Sequence, residues 1–395
     1  MQPAETAEAV ARNSYGKLIA FLAARTRDVA AAEDAPSEAF AAALADWPRN
    51  GCPQNPEAWL LTVARRKIID AARRRATSEA AQIPVANEPV NENIPDRRLA
   101  LMFACAHPAI DQAVRAPLIL QTVPGLDAKR IASAFLMSPD AIGKRLGRAK
   151  HKIRQAGIPF RIPEPEELPA RLDAVLEAIY AAFTEGWTDP TGATHLTGES
   201  LFLARLTIEL LPSEPEARGL LALMLHAEAR RKARLNDAGE YVPLADQDHN
   251  RWNWSMIAEA EALLRPPVTL GRYQLEAAIQ SAHVHRQRTG RANWTEIVQL
   301  YDALYAVTNS PVVRVNRALA VAEVQGAEQA LQEIADLSCD PRLTEYQPYW
   351  AARAELLSRT GAHHNETRHA YQIAIGLERN PAVRYFLSSR SSIIS

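Results

Sequence analysis

A chain of 395 residues with 47% apolar and 23% charged side chains has enough interior for two or three domains and too much apolar content for wholesale disorder. Its net charge of −1 hides a split, because residues 1–163 carry 23 Lys+Arg against 16 Asp+Glu while residues 164–395 carry 22 against 30. A basic front and an acidic rear place any contact with phosphate in the front and argue against a nucleic-acid role for the rear.

Alanine-rich, glycine-poor segments without alternating β-branched runs predict an all-α chain. The opening MQPAETAEAV has no basic leader, and no stretch approaches the roughly 18 apolar residues of a membrane span. The expectation is a cytoplasmic protein without membrane contact. Tyr15, Leu18, Ile19 and Leu22 form the buried stripe of a first helix. A second, around Glu33 to Trp47, carries Phe40 and Leu44 on one side and Asp34 and Glu38 on another. Pro36 falls inside it, so either the helix begins near Ala35 or it is kinked. A third starts after Asn55-Pro56, with Pro56 in the first turn, and turns Leu60, Ala64, Ile68 and Ala71 inward. Its other faces carry Arg65, Arg66, Lys67, Arg73, Arg74 and Arg75, a density suited to neutralising phosphates; the competing reading is a solvated face with Asp70 pairing to Arg66 and Arg74. Near its start, Trp59 fits a core position better than a base-stacking platform.

Pro84, Pro89 and Pro95 mark residues 77–96 as an extended linker. Beyond it, Cys105 and His107 lie two apart, but Cys52 and Cys339 are distant and no second pair completes a tetrahedral site. A buried thiol and a loop histidine are therefore expected, with no metal and no cofactor, and His363, His364 and His369 give no stronger signal. Residues Leu126 to Arg154 read as a helix-turn-helix or, failing that, an ordinary helical hairpin. A short helix holds Ile131 and Ala132, and a turn runs through Leu136, Met137 and Ser138. The second helix then opens with Ser138 as its cap, Pro139 in the first position and Asp140 at the positive end. Ile142 anchors that helix, and Lys144, Arg145, Arg148, Lys150, Lys152 and Arg154 line its outer faces. Laid in a major groove, it sets its N-terminal residues against bases and its basic residues against phosphates.

Pro159, Pro163, Pro165 and Pro169 form a second linker, residues 158–169, and residues 170–395 follow as a helical domain. Leu172, Val175, Ile179 and Phe183 make one stripe, and Ile297, Leu300, Tyr301 and Leu304 another. Asn380-Pro381-Ala-Val-Arg384 echoes Ser310-Pro311-Val-Val-Arg314, Glu214-Pro215-Glu-Ala-Arg218 gives a third Pro-x-x-Arg, and Gly361-Ala362 repeats Gly326-Ala327. The spacing fits stacked helical hairpins of tetratricopeptide type or an irregular bundle. Between Arg230 and Trp254 the pattern breaks: Arg230, Arg231, Lys232 and Arg234 precede the turn signal Asp237-Ala-Gly239. Internal pairing of this basic run with Asp246 and Asp248 is the reading preferred to a nucleic-acid patch.

The order AEDAPSEAFAAALADWP, NPEAWLLTVARRKIIDAARRR, linker, GLDAKRIASAFLMSPDAIGKRLGRAKHKIR resembles the two conserved domains of extracytoplasmic-function sigma factors. LMFACAHPAI, AGIPFRIP, TEGW at Thr184 to Trp187 and ADQDHNRWNW at Ala245 to Trp254 resemble the subgroup with a C-terminal tetratricopeptide-like extension. The resemblance implies a first sigma domain at 1–76 and a second at 97–157. It implies that Asp34 and Glu38 lie on the face that grips the β′ coiled coil of RNA polymerase core. It also implies that the Pro48–Pro56 loop with Arg65, Arg66, Lys67, Asp70, Arg73 and Arg74 opens the minus ten element of promoter DNA. Pro139, Asp140, Ala141 and Lys144 then stand nearest the bases of the minus thirty-five element, with Arg145 and Arg148 on phosphate. Arg130, Ala141 and Gly143 depart from the usual pattern, so the promoter sequence is not carried over. The rear domain is expected to modulate activity and to offer a surface to a regulatory protein.

No glycine-rich phosphate loop, HExxH, GxSxG or clustered acid-base site is present, so no catalytic residue and no enzyme is expected. The alternative, a helix-turn-helix regulator with a helical-repeat sensor, leaves the first basic domain without a role.

Overall fold

The computed structural model describes residues 3–76, 95–135, 138–188, 195–265, 271–361 and 363–393. It is all-α, 78% helical, and among the described residues it has no strand, only an isolated antiparallel bridge between Leu235 and Tyr241. The helices are α1 (Pro3–Thr26), α2 (Val29–Asn50), α3 (Pro56–Ala76), α4 (Arg98–Cys105), α5 (Gln112–Thr122), α6 (Ala128–Ala134), α7 (Pro139–Gln155), α8 (Pro169–Thr188), α9 (His195–Leu210), α10 (Pro215–Ala229), α11 (Trp254–Leu263), α12 (Arg272–Thr289), α13 (Trp294–Thr308), α14 (Pro311–Gln325), α15 (Ala327–Glu333), α16 (Gln347–Thr360), α17 (His364–Leu377) and α18 (Pro381–Ser392). None is long and apolar enough to cross a membrane among the described residues. They form two compact units, one of residues 1–187 with 193–206 and one of 188–192 with 207–395. The proposed linker at 77–96 lies outside the described residues up to 94.

In the first unit α1 buries Leu18, Ile19 and Leu22, as its stripe predicts, and α3 buries Leu60, Leu61, Ala64 and Ile68. The second helix differs from expectation. It begins at Val29, where the Asp28 carboxylate accepts the Ala31 N–H at 3.2 Å, so Pro36 is interior and a start near Ala35 is ruled out. Its buried face is Val29, Ala32, Ala35, Pro36, Ala39, Ala43 and Trp47, and Leu44 is 55% exposed. Small alanines win the inward face because α1 and α3 both pack closely on this helix, whereas Leu44 falls off that stripe. After Arg98 at its start, helix α4 is apolar all round, and it is buried along its whole length, a pattern that suits a central helix. Gly16 of α1 meets the main chain of Val123, after α5, so closely that a Cβ would lie 2.3 Å from the carbonyl oxygen.

The segment 156–168 holds one short 3-10 turn, Pro165–Glu167, with Glu164 and Glu167 in a reciprocal capping box. Helices α8 and most of α9 belong to the first unit, where Arg130 of α6 pairs with Glu185 at 2.6 Å and Arg98 of α4 with Glu199.

In the second unit helices pack mainly on chain neighbours: α10 on α11 and α12, then each helix on the next through to α18. This near-neighbour order is that of a helical repeat region. All three Pro-x-x-Arg echoes open helices, α10, α14 and α18, with Pro in the first turn. Each arginine reaches carbonyls at the C-terminal end of an adjacent helix: Arg218 to Leu263 (2.8 Å) and Arg265 (2.5 Å), Arg314 to Glu333 (2.6 Å), Arg384 to Glu378 (3.2 Å). Those carbonyls lack intrahelical donors and carry the negative end of the helix dipole, which a guanidinium satisfies on both counts. Gly326 and Gly361 end α14 and α16 with positive φ of 91° and 66°.

The stretch between α10 and α11 is an excursion of short turns, as the sequence suggests, and Arg231 of its basic run finds a carboxylate other than Asp246 or Asp248. Arg231 pairs with Glu228 at 2.8 Å. The Asp248 carboxylate instead accepts the Asn250 N–H at 2.9 Å, capping the turn His249–Arg251, and Asp246 stays exposed.

Candidate nucleic-acid and polymerase interface

Helix α3 starts as its sequence dictates, with Asn55 Oδ1 accepting the Ala58 N–H at 3.0 Å and Pro56 in the first turn. With Leu60, Ala64 and Ile68 turned inward, helical geometry presents Arg66, Asp70 and Arg73 to solvent, and all three are exposed. Arg65 is half-buried, its guanidinium 5.3 Å from the Phe21 ring of α1, a cation–π contact that aims the side chain along α1. Lys67 pairs with Glu38 of α2 at 3.0 Å, so a predicted DNA contact and a predicted polymerase contact hold one another. Asp34 and Glu38 lie one turn apart and are exposed. The side chains of Arg74 and Arg75 fall outside the described residues. Trp59 is half-buried, edge-on to the buried Trp47 at 5.5 Å, which ties it to the core margin.

Ser138 caps α7 as predicted, its Oγ accepting the Ala141 N–H at 3.4 Å, with Pro139 at the first position and Asp140 in the first turn. Leu136 and Met137 of the expected turn lie outside the described residues. Ile131 and Ala132 of α6 and Ile142, Leu146, Ala149 and Ile153 of α7 are buried, and the two helices pack on one another. Pro139, Asp140, Lys144 and Arg148 are exposed, Ala141 and Arg145 partly so.

Lys150 does not line the free outer face, and Arg154, though exposed, reaches back to α2. Lys150 joins Glu33 of α2 in an ion pair whose side chains are only 13% and 12% exposed, and Arg154 reaches Asp28 at 3.3 Å. Burial raises the Glu33 carboxyl above the usual range, with Lys150 pulling the other way. Burial, with Glu33 second, also pushes the neighbouring Tyr15 phenol up to about 12. The wheel of α7 signals this in part, because Lys150 and Arg154 each follow a buried residue and sit at the edge of its apolar stripe. The partner is not legible in the sequence, since Glu33 lies 117 positions away.

Cys105 is the buried thiol expected, 3.7 Å from Thr122 Oγ1, and His107 Nδ1 accepts the Ala109 N–H within its own loop. Among the described residues no three His, Cys, Asp or Glu side chains are grouped to hold a metal ion.

Two family models match the chain: Sigma-70 region 2 over residues 11–77, and a family of unknown function (DUF6596) over residues 171–267. An uncharacterized protein of Rhizobium meliloti (strain 1021) is 37% identical over 376 residues, which is 90% of this chain and 88% of that protein. No solved structure gives a significant match. The first match spans α2, α3 and most of α1, and the second begins within α8.

Proposed function

The chain belongs to the sigma-70 family, with region 2 at its N-terminus and a DUF6596 segment in its C-terminal extension, and on that premise we propose that it is an extracytoplasmic-function sigma factor that brings RNA polymerase core to particular promoters and assists their opening. The observation that carries this reading is the pairing, in one unit, of a region 2 match bearing an exposed arginine helix with a second basic helix, α7, well capped and following the short α6, which supports the helix-turn-helix reading. Asp34 and Glu38 are assigned to the β′ coiled coil. Arg65, Arg66, Lys67, Asp70, Arg73 and Arg74 are assigned to the minus ten element, where cations and a pocket capture an unstacked base at a cost of a few kcal/mol. Pro139, Asp140, Ala141 and Lys144 face the minus thirty-five bases, with Arg145 and Arg148 on phosphate. The role is non-enzymatic.

Region 2 and the helix-turn-helix, proposed as domains 1–76 and 97–157, must part to reach two separate elements, which breaks the Lys150–Glu33 and Arg154–Asp28 pairs. Polymerase docking on Asp34 takes hold one residue from that latch. The rear region, with helices of 14 and 15 residues and glycine stops at Gly326 and Gly361, is read as tetratricopeptide-like and as the part that modulates activity, through a regulatory protein or otherwise. Truncation to test this belongs after Leu206 and not after Pro163, because the earlier cut removes Glu185 and Glu199 from the unit they help to hold.

Run-off transcription with purified core polymerase tests the assignment. Initiation at discrete promoters where core alone is silent is the expected result. Failure to bind core at low ionic strength would end the reading, and initiation only in the presence of another sigma factor would turn it into the helix-turn-helix regulator.

A further inference from the structure

In the rear unit two half-buried arginines, Arg230 and Arg286, form no ion pair among the described residues. Arg230, at the end of α10, donates through Nε to the His226 carbonyl (3.0 Å) and through Nη2 to Gln280 Oε1 on α12 (2.5 Å). It forms no ion pair among the described residues; its nearest titratable neighbours are Arg234 and the Tyr241 phenol, and the Glu378 carboxylate acts on those two rather than on Arg230. One turn earlier His226 is fully buried, and neither ring nitrogen has a hydrogen-bond partner. Across the seam on α12, His283 Nδ1 and Arg286 Nε are likewise buried without partners. The Arg286 guanidinium stands 4.4 Å from the Trp294 ring, and His283 meets the same ring edge-on at 5.7 Å. Arg230 is near enough to depress both histidines, and Arg286 acts on His283 as well, so these groups share one seam of α10 and α12.

Buried polar atoms in folded proteins nearly always find partners, and buried charges are nearly always compensated. The C-terminal dipole of α10 offsets part of the Arg230 charge, by about 1 kcal/mol at most in an exposed setting, but it satisfies neither histidine. Two neutral imidazoles each offer an N–H donor, and the guanidinium keeps N–H donors unused beyond the two bonds already made. Each imidazole also carries one acceptor nitrogen, but donors still outnumber acceptors around a cation with no carboxylate partner, an arrangement complementary to an oxyanion. The same turn of α10 borders a cleft of about 780 Å³ in which Arg231, Lys232 and Arg251 face the single carboxylate of Glu228 beside Trp252. That volume falls within the range of small-molecule pockets, roughly 300 to 1,000 Å³.

We propose that the α10–α12 seam binds a small oxyanion, the phosphate or carboxylate group of a small-molecule ligand, with Arg230 as its charge partner and His226 and His283 as hydrogen-bond donors. The site lies wholly within residues 207–395 and stands independently of the sigma-factor reading.

The test titrates full-length protein by calorimetry with sodium phosphate and separately with sodium acetate, against sodium chloride at matched ionic strength, and follows ring-labelled histidines by NMR under the same additions. Saturable binding is expected, with displacement of two histidine signals that vanish in His226→Gln and His283→Gln. Arg230→Gln should weaken binding about tenfold or more, while Arg342→Gln, which removes a cation already paired with Asp340 at 2.7 Å, should leave it unchanged. Phosphate alone would mark a phosphorylated ligand, acetate alone a carboxylate ligand, and both a general oxyanion site. A response no greater than that to chloride, unmoved His226 and His283 signals, or undiminished binding in Arg230→Gln would overturn the proposal. Should Arg230→Gln fail to fold, the histidine spectra of the unaltered chain decide the matter.

Discussion

Lys150 in the first unit and Arg230 in the second meet the same problem, a cation taken out of water, and meet it differently. Lys150 takes its carboxylate from a helix of the region 2 segment, Glu33 of α2. Arg230 takes a main-chain carbonyl and the amide of Gln280, and no carboxylate pairs with its charge among the described residues. An ion pair that joins two modules opens when a partner competes for either charge. A cation bonded only to neutral acceptors is already set to receive an anion from solution. The contrast separates a contact that macromolecular engagement would break from one that a small ligand would complete.

The largest expected effect comes from removing one side of the cross-module pair. Glu33→Ala leaves Lys150 buried and unpaired and should cost about 3 kcal/mol in urea denaturation, whereas Glu33→Leu with Lys150→Met should return most of the loss. If the double variant is no better than the single, the pair does not behave as a latch and the comparison with Arg230 loses its first member.

A loss of similar size is expected on acidification from the second unit. Burial first and Arg230 second hold the His226 pKa down at about 4, so the ring stays neutral in the folded chain while the unfolded chain takes up a proton below about pH 6.5. Stability should therefore fall as pH drops from about 6.5 to 4, by about 3 kcal/mol for this residue, and be unaffected by it above that window. His226→Gln should flatten that share of the profile, and saturating phosphate should do so in the unaltered chain if the seam binds it.

Gly16→Ala drives a methyl group into the Val123 carbonyl, an overpacking expected to lower stability by about 2 kcal/mol in thermal or urea melts. Because that contact lies where α1 meets the loop after α5, its loss should also loosen the first unit while leaving phosphate binding in the second untouched. Exposed Arg148→Ala should change folding little, weaken binding to every promoter duplex alike, and reduce the salt slope by about one. Smallest of all, Lys67→Ala breaks a pair whose side chains are 44% and 54% exposed, worth about 0.5 kcal/mol or less to stability. On the proposed function its effect falls on promoter opening, and an unchanged open-complex yield would remove Lys67 from the minus ten surface.

Much of this protein is written locally. Ser138-Pro139-Asp140 specifies the start of α7 because cap, fixed φ and dipole all act within one turn. Pro215, Pro311 and Pro381 start helices for the same reason, and the basic front against the acidic rear needs no fold to be counted. Periodicity also assigns Leu60, Ala64 and Ile68 inward, since a helix has one face toward its core. It misjudges Leu44 because α2 packs on two helices at once, and the alanine stripe that allows their close approach outranks side-chain size. Which cations remain free is decided by tertiary structure alone. Arg148 and Lys150 lie two residues apart on one basic helix, yet one faces solvent and the other faces Glu33. Arg230 and Arg231 are adjacent, yet only Arg231 has a carboxylate. The pairing of a charge depends on residues brought near it from far along the chain, and helical spacing carries no record of them.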